Sequence, residues 1–303
     1  MIRIEELVKR PELLQRDTDV WTYLDNECRK RLDEFLRQYE AVRASETRSL
    51  HPIADYRALP FGKHVHDEFE WEFRQYSLRA IERLLRGRID RSTLEIGPWN
   101  GWLSNRLVEM GCEVLAVDYF SDDMDGLRAQ RHYLNRWRTL QMDIGELDFR
   151  DRSFDVVIVN HCLQFFANPA SYIERLKSLL RDNGLLILSG LTFYRDASRK
   201  QLAVQSFRER FMDLYGFEVF FAPTKGYLDG DDCRSLLTHG ITLRPHMAML
   251  PRNALALLRP SRPWYGCGVW RTAVREHRRT GGVAGQNGAR CPEHPFSDGF
   301  GFA

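Results

Sequence analysis

The pattern of apolar and polar positions changes character after about residue 92. From there, short apolar runs alternate with segments in which apolar residues recur every three or four positions. The runs are TLEI, EVLAV, WRTLQM, DVVIV and LLILS, at residues 93–96, 113–117, 137–142, 155–159 and 185–189. Apolar runs of roughly five residues are typical of strands that are buried on both faces. The alternation predicts an α/β fold with a doubly wound, mostly parallel sheet.

Helices are predicted between these strands at residues 102–110, 122–131 and 169–180. Asn168 is suited to cap the last helix, because its side chain can accept hydrogen bonds from free amides of the first turn, where Pro169 is tolerated. Two amphipathic helices are predicted before the sheet, at residues 24–44 and in HDEFEWEFRQYSLRAIERLLRG. We expect the second of these to enter the core and to end at Gly87.

The same pattern divides the chain into three parts. Residues 1–60 are charged and helix-prone, which predicts a helical arm or cap. Residues 61–271 form the predicted core, with an aromatic insert at 192–232 and two last strands, ITLRPH and WYGCGVWR. The intervening AMLPRNALALLRP is predicted to be a short helix. Residues 272–303 are rich in glycine and lack periodicity, which predicts a disordered tail.

Composition restricts the partners and the compartment. The 44 basic and 42 acidic residues leave a formal charge of +2, which does not indicate a nucleic-acid or membrane partner. The basic segment 128–138 is interpreted as a solvated helix and its exit. No apolar run approaches the roughly 20 residues that a bilayer requires. The start lacks the apolar core of a signal peptide, and the six cysteines are scattered, so we predict a cytoplasmic protein without disulfides.

The stretch LEIGPWNGW lies where the first strand gives way to a helix. Gly97 and Gly101 permit a tight turn and a close approach of the main chain to a ligand at the helix start. Glu95 is at the tip of this strand, Asp118 ends the second and Asp143 follows the third. Carboxylates in these positions can accept ribose hydroxyls or an exocyclic amine. We therefore predict one ligand crevice around them, although each could be an ordinary strand-end carboxylate.

The ordered series LEIGPWNGW, AVDYF, QMDI, FDVVIVNHCLQFFANP and LLRDNGLLILSG resembles that of class I S-adenosylmethionine-dependent methyltransferases, specifically the type 11 domain. The resemblance covers about residues 69–191. It implies a Rossmann-like sheet of seven strands in the order 3-2-1-4-5-7-6, with the seventh strand antiparallel. It also implies S-adenosyl-L-methionine as the cofactor and methyl transfer as the activity.

In that family the corresponding residues would divide the cofactor between them. The implied contacts are Gly97 and Gly101 in the loop, Glu95 at the methionine end, Asp118 at the ribose hydroxyls, Tyr119 along the adenine, Asp143 and the Ile144 amide at the adenine edge, and Asn160 facing the cofactor. The sequence departs from the family at Trp99, which replaces the middle of three alternate glycines. If Trp99 takes an ordinary backbone conformation with its ring turned aside, the cofactor pocket is preserved. If its ring enters the crevice, the pocket is obstructed. Gln164 stands where many relatives carry histidine.

The chemistry mainly requires a nucleophile in line with a reactive methyl, without water. A general base is needed only for some acceptors. His161 is the predicted base, although a lone histidine is more often a hydrogen-bonded wall residue. The alternatives on the cap side are His64, His66, Glu70 and Tyr227, and the aromatic residues available near the methyl are Trp99, Phe165 and Phe166. His64 and His66 lack further ligands, so we predict no metal site.

Three functions remain open. We expect the helix at 67–85 and the insert around 225–227 to close over the crevice, which favours a small-molecule acceptor. Trp99 keeps open a non-catalytic binding protein, and segment 128–138 keeps open an RNA or protein methyltransferase. A dinucleotide-dependent oxidoreductase is disfavoured, because GPWNGW lacks the GxGxxG spacing. The acceptor atom and the oligomeric state are not indicated by the sequence.

Overall fold

A computed structural model describes residues 2–45, 53–61, 68–87 and 91–272. Its centre is one ten-stranded sheet in the order β1-β2-β5-β4-β3-β6-β7-β10-β9, with β8 paired to β7. The strands are β1 (Leu14–Asp17), β2 (Val20–Tyr23), β3 (Ser92–Ile96), β4 (Glu113–Asp118), β5 (Arg138–Met142), β6 (Phe154–Asn160), β7 (Leu180–Tyr194), β8 (Leu228–Asp229), β9 (Thr242–Pro245) and β10 (Pro263–Arg271).

The central part of this sheet has the predicted order. Strands β5, β4, β3, β6 and β7 run parallel to one another, and β10 lies antiparallel between β7 and β9. Every residue of β3 is buried, as the uninterrupted apolar run predicted. Because the first four parallel strands end at the same edge, their carboxyl tips face one crevice.

The N-terminal arm is not only helical, which corrects the prediction. Strands β1 and β2 form an antiparallel hairpin, and β2 pairs in parallel with β5 through registers such as Trp21 with Leu140. The hairpin therefore extends the sheet beyond the third core strand. Both strands are four residues long and β1 reads LQRD, so they lack the apolar run that marks the core strands.

Helices cover both faces of the sheet. They are α1 (Ile4–Leu7), α2 (Asn26–Ser45), α3 (Ile53–Tyr56), α4 (Glu68–Leu85), α5 (Trp102–Glu109), α6 (Pro169–Ser178), α7 (Ser198–Tyr215), α8 (Gly230–Thr238) and α9 (Leu250–Leu258). Buried residues of α4 and α5 form one apolar layer, and buried residues of α2, α6 and α8 contribute to the layer on the other face.

Most predicted helices are present, and one is not. Asn168 accepts hydrogen bonds from the amides of Ala170 and Ser171 at the start of α6, as predicted. The helix expected at 122–131 is replaced by a short 3₁₀ helix, Leu127–His132. The Asp122 carboxylate accepts from two backbone amides that follow it, which stabilises a turn in competition with a helix.

The predicted insert contains α7 followed by an irregular segment that returns to the crevice. Residues 273–303, which comprise almost all of the predicted disordered tail, lie outside the described residues, as do His64 and His66. Within the described ranges, no helix is both long and apolar enough to cross a membrane.

Candidate active site

The loop between β3 and α5 has a left-handed backbone at three alternate positions. The φ angles are 71° at Gly97, 52° at Trp99 and 80° at Gly101. A Cβ atom added at Gly97 would lie 2.5 Å from Cys162 Sγ, and one at Gly101 would lie 2.6 Å from the Trp137 ring. Packing and conformation therefore both require the glycines. Trp99 does not have the ordinary conformation that one of the two alternatives assumed, because it adopts the left-handed backbone of the glycine that it replaces.

The indole of Trp99 is turned aside toward α4, which is one of the two alternatives that the sequence left open. It stacks on Trp71 with ring centroids 5.6 Å apart and planes inclined by 28°. The guanidinium of Arg74 lies 5.1 Å from the Trp99 ring and 5.0 Å from the Trp71 ring. Trp99 thus contributes to the wall of the crevice, in a cluster anchored on α4.

Glu95 is fully buried beneath this loop. Its carboxylate accepts hydrogen bonds from Ser104 Oγ at 2.5 Å and from Asn160 Nδ2 at 2.9 Å. Burial raises the pKa of Glu95 to about 7, and these two hydrogen bonds act in the opposite direction. Glu95 is not among the residues that line the cavity, whereas Asn160 is. Glu95 is therefore connected to the cavity through Asn160. The Oδ1 atom of Asn160 is buried without a hydrogen-bond partner.

Asp118 ends β4 with its side chain at the cavity. The carboxylate accepts hydrogen bonds from the amides of Tyr119 at 2.7 Å and Phe120 at 3.3 Å, and also from the amide of Trp99. Burial raises the pKa of Asp118 to about 7, and the three amides oppose that shift. The hydrogen bond from the Trp99 amide therefore connects the left-handed loop to Asp118, the carboxylate that is predicted to hold the ribose.

Tyr119 and Asp143 are joined by a direct hydrogen bond. The Tyr119 hydroxyl donates to Asp143 Oδ1 at 2.5 Å, and the Gly145 amide donates to the same oxygen at 2.8 Å. Burial, followed by the Asp143 charge, raises the pKa of Tyr119. Asp143 Oδ2 has the Cys28 thiol at 3.9 Å, from helix α2. Tyr119 and Asp143 thus form a polar part of the cavity wall, together with Ile144. The Ile144 carbonyl accepts a hydrogen bond from the Tyr172 hydroxyl at 2.6 Å.

His161 follows Asn160 and has a left-handed backbone, with φ of 56°. Its Nε2 atom lies 3.0 Å from Ser77 Oγ on α4. Burial, then the charge of Arg74, holds the pKa of His161 well below its usual range, so the ring is neutral near pH 7. A neutral imidazole can accept a proton, but this hydrogen bond is equally typical of a wall residue. The role of general base remains a prediction.

Of the other candidate bases, the two that fall within the described residues do not line this wall. Tyr227 lines a separate hollow beside α7, and Glu70 forms an ion pair with Arg74 at 2.8 Å without lining the cavity. Among the described residues, no group of three or more histidine, cysteine or acidic side chains is arranged to hold a metal ion.

The strand tips open into a cavity of about 840 Å³. Its roof is formed by α2, through Arg31, Phe35 and Tyr39, and by segment 219–224 of the insert. This corrects the expected cover, because α4 contributes only Arg74 and the insert uses residues that precede 225–227. The apolar stripe of α2 contains Phe35 and Tyr39, but a stripe alone does not distinguish a ligand roof from core packing.

Residues 94–188 match the model of a protein family described as a methyltransferase domain. The chain contains a methyltransferase domain. The resemblance predicted from the motif series is confirmed, and so is S-adenosyl-L-methionine as the cofactor. The wall fits that cofactor, because it presents an unpartnered acceptor at Asn160, a carboxylate at Asp118 and a glycine cradle at Gly97.

Curated relatives of the methyltransferase domain are similar over part of their length. A methyltransferase of Mycobacterium tuberculosis, named as uncharacterized, is 33% identical over 129 residues, which cover 43% of this chain and 51% of that protein. The carboxy-S-adenosyl-L-methionine synthase of Aliivibrio fischeri is 32% identical over 103 residues, covering 31% of this chain and 40% of that protein. The chain thus spans about half the length of the curated relatives that it matches.

A solved structure is similar over a larger share of this chain. It is the phosphoethanolamine N-methyltransferase 2 of Haemonchus contortus in complex with S-adenosyl-L-methionine. The likeness covers 77% of this chain and 60% of that one, with 13% identity and a TM-score of 0.47.

Proposed function

We propose that the protein transfers a methyl group from S-adenosyl-L-methionine to a small molecule bound beneath α2 and segment 219–224. The observation that carries the proposal is the roofed cavity of about 840 Å³ at the strand tips. Sites of roughly 300–1,000 Å³ are the usual size for small ligands and cofactors. A cavity near the upper end of that range has room for a nucleoside cofactor together with a small acceptor.

Each strand tip would hold a different part of the cofactor. The Asp118 carboxylate, fixed by backbone amides, would accept both ribose hydroxyls. Asp143, fixed by Tyr119 and Gly145, would accept from the exocyclic amine of the adenine. Glu95 would act through Asn160, because it holds the Asn160 amide so that Oδ1 faces the amino-acid end.

The remaining chemistry follows from exclusion of water and placement of the acceptor. The bound cofactor supplies an electrophilic methyl group on a sulfonium, and the protein has to align the acceptor with it. The aromatic roof would shield that reaction from water. His161 is the candidate to accept a proton where the acceptor loses one, and it is neutral at physiological pH. No further protein nucleophile is needed for a direct transfer.

A small-molecule acceptor is favoured over RNA by the contacts of the basic segment. Arg128 forms an ion pair with Asp17, Arg131 forms one with Asp123, and Arg136 donates to three backbone carbonyls. These arginines stabilise the fold locally, and charges used in this way contribute less to a phosphate-binding surface. The cytoplasmic location remains a prediction.

Calorimetric titration with S-adenosylhomocysteine tests the cofactor site first. Incubation with methyl-labelled S-adenosylmethionine and a cell extract, followed by separation into metabolite, RNA and protein fractions, then tests the acceptor class. We expect binding, with label in the metabolite fraction. Label confined to RNA or protein would refute the small-molecule acceptor. Binding without transfer to any fraction would favour the non-catalytic alternative, and absence of binding would refute the proposal as a whole.

A further inference from the structure

We infer that Arg74 and Asn160 together receive the zwitterionic amino-acid end of the cofactor, and that Trp99 is a positioning residue that carries Arg74 on its indole ring. This inference rests on the proposed function and deepens it. The receptor would pair a guanidinium with the carboxylate of the ligand and an amide oxygen with its ammonium group.

The position of Arg74 is determined by two stacked tryptophans. Its guanidinium lies 5.0 Å from the Trp71 ring and 5.1 Å from the Trp99 ring. Rings at this distance attract a cation and restrict the conformations of a long side chain. The Arg74 side chain is only 13% exposed, and the residue lines the cavity. Arg74 is therefore presented to the cavity in a defined place.

The existing ion pair of Arg74 leaves capacity for a ligand. Nη1 contacts Glu70 at 2.8 Å, and the Glu70 side chain is 56% exposed, so solvent weakens that pair. A guanidinium carries five N–H donors, which allows a second carboxylate to bind at another edge. The positive charge also reaches the tip of β6, since it helps to lower the pKa of His161, the residue after Asn160.

Asn160 supplies the complementary acceptor. Its Nδ2 is committed to Glu95, while Oδ1 is buried and has no partner in the described structure. A buried acceptor without a donor is unfavourable, and a ligand ammonium would satisfy it. The Glu95 contact fixes which way the amide faces. An acceptor for an ammonium and a donor for a carboxylate consequently line the same cavity.

This arrangement accounts for tryptophan at a glycine position. A left-handed backbone is unfavourable for a large side chain, yet Trp99 has φ of 52°. The conformation keeps the Trp99 amide on Asp118 and sends the indole outward to Arg74. One residue thus connects the predicted ribose and amino-acid subsites, through its backbone and its ring respectively.

The test compares two ligands that differ only where the receptor acts. S-adenosylhomocysteine carries the amino-acid end, whereas 5′-methylthioadenosine lacks it. Calorimetric titrations of both are made on the full chain and on its Arg74→Gln and Trp99→Gly variants. For Arg74→Gln we expect the affinity for S-adenosylhomocysteine to fall about 10- to 100-fold, the range for charge-assisted hydrogen bonds. The affinity for methylthioadenosine should change less than about twofold.

Trp99→Gly is the more specific variant, because glycine suits the left-handed backbone at this position and the substitution removes only the indole side chain. We expect about a tenfold loss for S-adenosylhomocysteine, on the scale of a buried cation–π contact, and little change for methylthioadenosine. Arg79→Gln removes an exposed arginine from the same helix and should leave both affinities unchanged. Arg74→Lys, which keeps the charge but not the planar group, should fall between the parent and Arg74→Gln.

Each other result would overturn the inference. If Arg74→Gln lost affinity equally for both ligands, Arg74 would stabilise the fold or contact the nucleoside instead. If it lost no affinity for S-adenosylhomocysteine, Arg74 would not contact the ligand. Tighter binding of S-adenosylhomocysteine by Trp99→Gly would show that the indole only obstructs the loop. Methylthioadenosine binding also reports folding of each variant. If the parent protein binds neither ligand, the proposed function itself fails, which is a different outcome from these.

Discussion

The strand-tip wall and the roof of the cavity are built in different ways. At the tips, polar side chains are fixed by neighbouring backbone, as in Asp118, which accepts from the amides of Tyr119 and Phe120. In the roof, Phe35 on α2 contacts the rings of Tyr39, Phe120, Phe217 and Phe221, with centroids 5.5–6.3 Å apart. The wall is thus held by directional hydrogen bonds within one sheet. The roof joins chain segments that are far apart in sequence.

The two kinds of contact predict which part of the site tolerates substitution. Aromatic contacts are less directional than charge-assisted hydrogen bonds, so the roof can repack when one ring is altered. A carboxylate at a strand tip has no such freedom. We therefore expect substitutions in the wall to lower the affinity for the ligand, and substitutions in the roof mainly to change the rate at which the ligand dissociates.

The largest expected effect is that of Asp118→Ala. Loss of the carboxylate removes both proposed bonds to the ribose and leaves the amides of Tyr119 and Phe120 without their acceptor. We expect the calorimetric affinity for S-adenosylhomocysteine to fall by about 100-fold or more. Asp213→Ala, on the exposed face of α7, is the matched control and should bind normally. Near-parental affinity of Asp118→Ala would contradict the ribose assignment.

A smaller effect is expected in the roof from Phe35→Ala. The substitution removes four ring contacts and loosens α2 against the insert. We expect S-adenosylhomocysteine to dissociate about tenfold faster, with a smaller change in association rate, in stopped-flow measurements. Leu214→Ala, at a residue 74% exposed on α7, serves as control. An unchanged dissociation rate would mean that the roof does not retain the ligand.

The affinity for the ligand should depend on pH through Asp118 in the strand-tip wall, whereas the described residues of the aromatic roof contain no group that would add to this dependence near neutral pH. Asp118, with its pKa raised to about 7, keeps its proton as pH falls below that value, and a protonated carboxyl accepts the ribose hydroxyls less well. Affinity should therefore be constant above about pH 7.5 and decline severalfold by about pH 6. The folded-state pKa is raised, so the stability that this group contributes to the ligand-free protein is lost as pH rises through about 7. Thermal unfolding with and without ligand should show these opposite trends, and a flat affinity profile would contradict them.

The smallest effect is expected at the junction of wall and roof, where Cys28 of α2 meets Asp143. Burial, then the charge of Asp143, raises the pKa of Cys28 to about 11. Alkylation by iodoacetamide at pH 8, followed by peptide mass mapping, should be much slower than for an unperturbed thiol. A thiol is a weak donor, so Cys28→Ser should change ligand affinity by less than about twofold. Rapid alkylation would indicate that α2 opens readily.

The wall was predictable from the sequence because its signals are local. Asp118 and Asn160 directly end apolar runs that form buried parallel strands, and such ends meet at one edge. Gly97 and Gly101 were predicted from the turn that they permit. The backbone conformation of Trp99 could not be predicted, because its residue type favours an ordinary conformation whereas the loop imposes the left-handed one.

The roof could not be predicted, because its partners are distant. Phe35 lies on the apolar stripe of α2, but its contact with Phe217 joins segments separated by most of the core domain. The stripe gives the face of a helix and not what that face covers. The helix expected at 122–131 failed for a local reason, since the Asp122 side chain binds the amides that a helix would use.

The hairpin of β1 and β2 has a practical consequence for anyone who shortens this protein. The family match begins at residue 94, which suggests a boundary that would discard the hairpin. That cut would leave the ladder of β5 open from Leu140 to Met142, where β2 is now paired. Bare strand edges recruit one another. A fragment that begins at residue 94 should therefore self-associate through this exposed edge, whereas the chain with its hairpin should not.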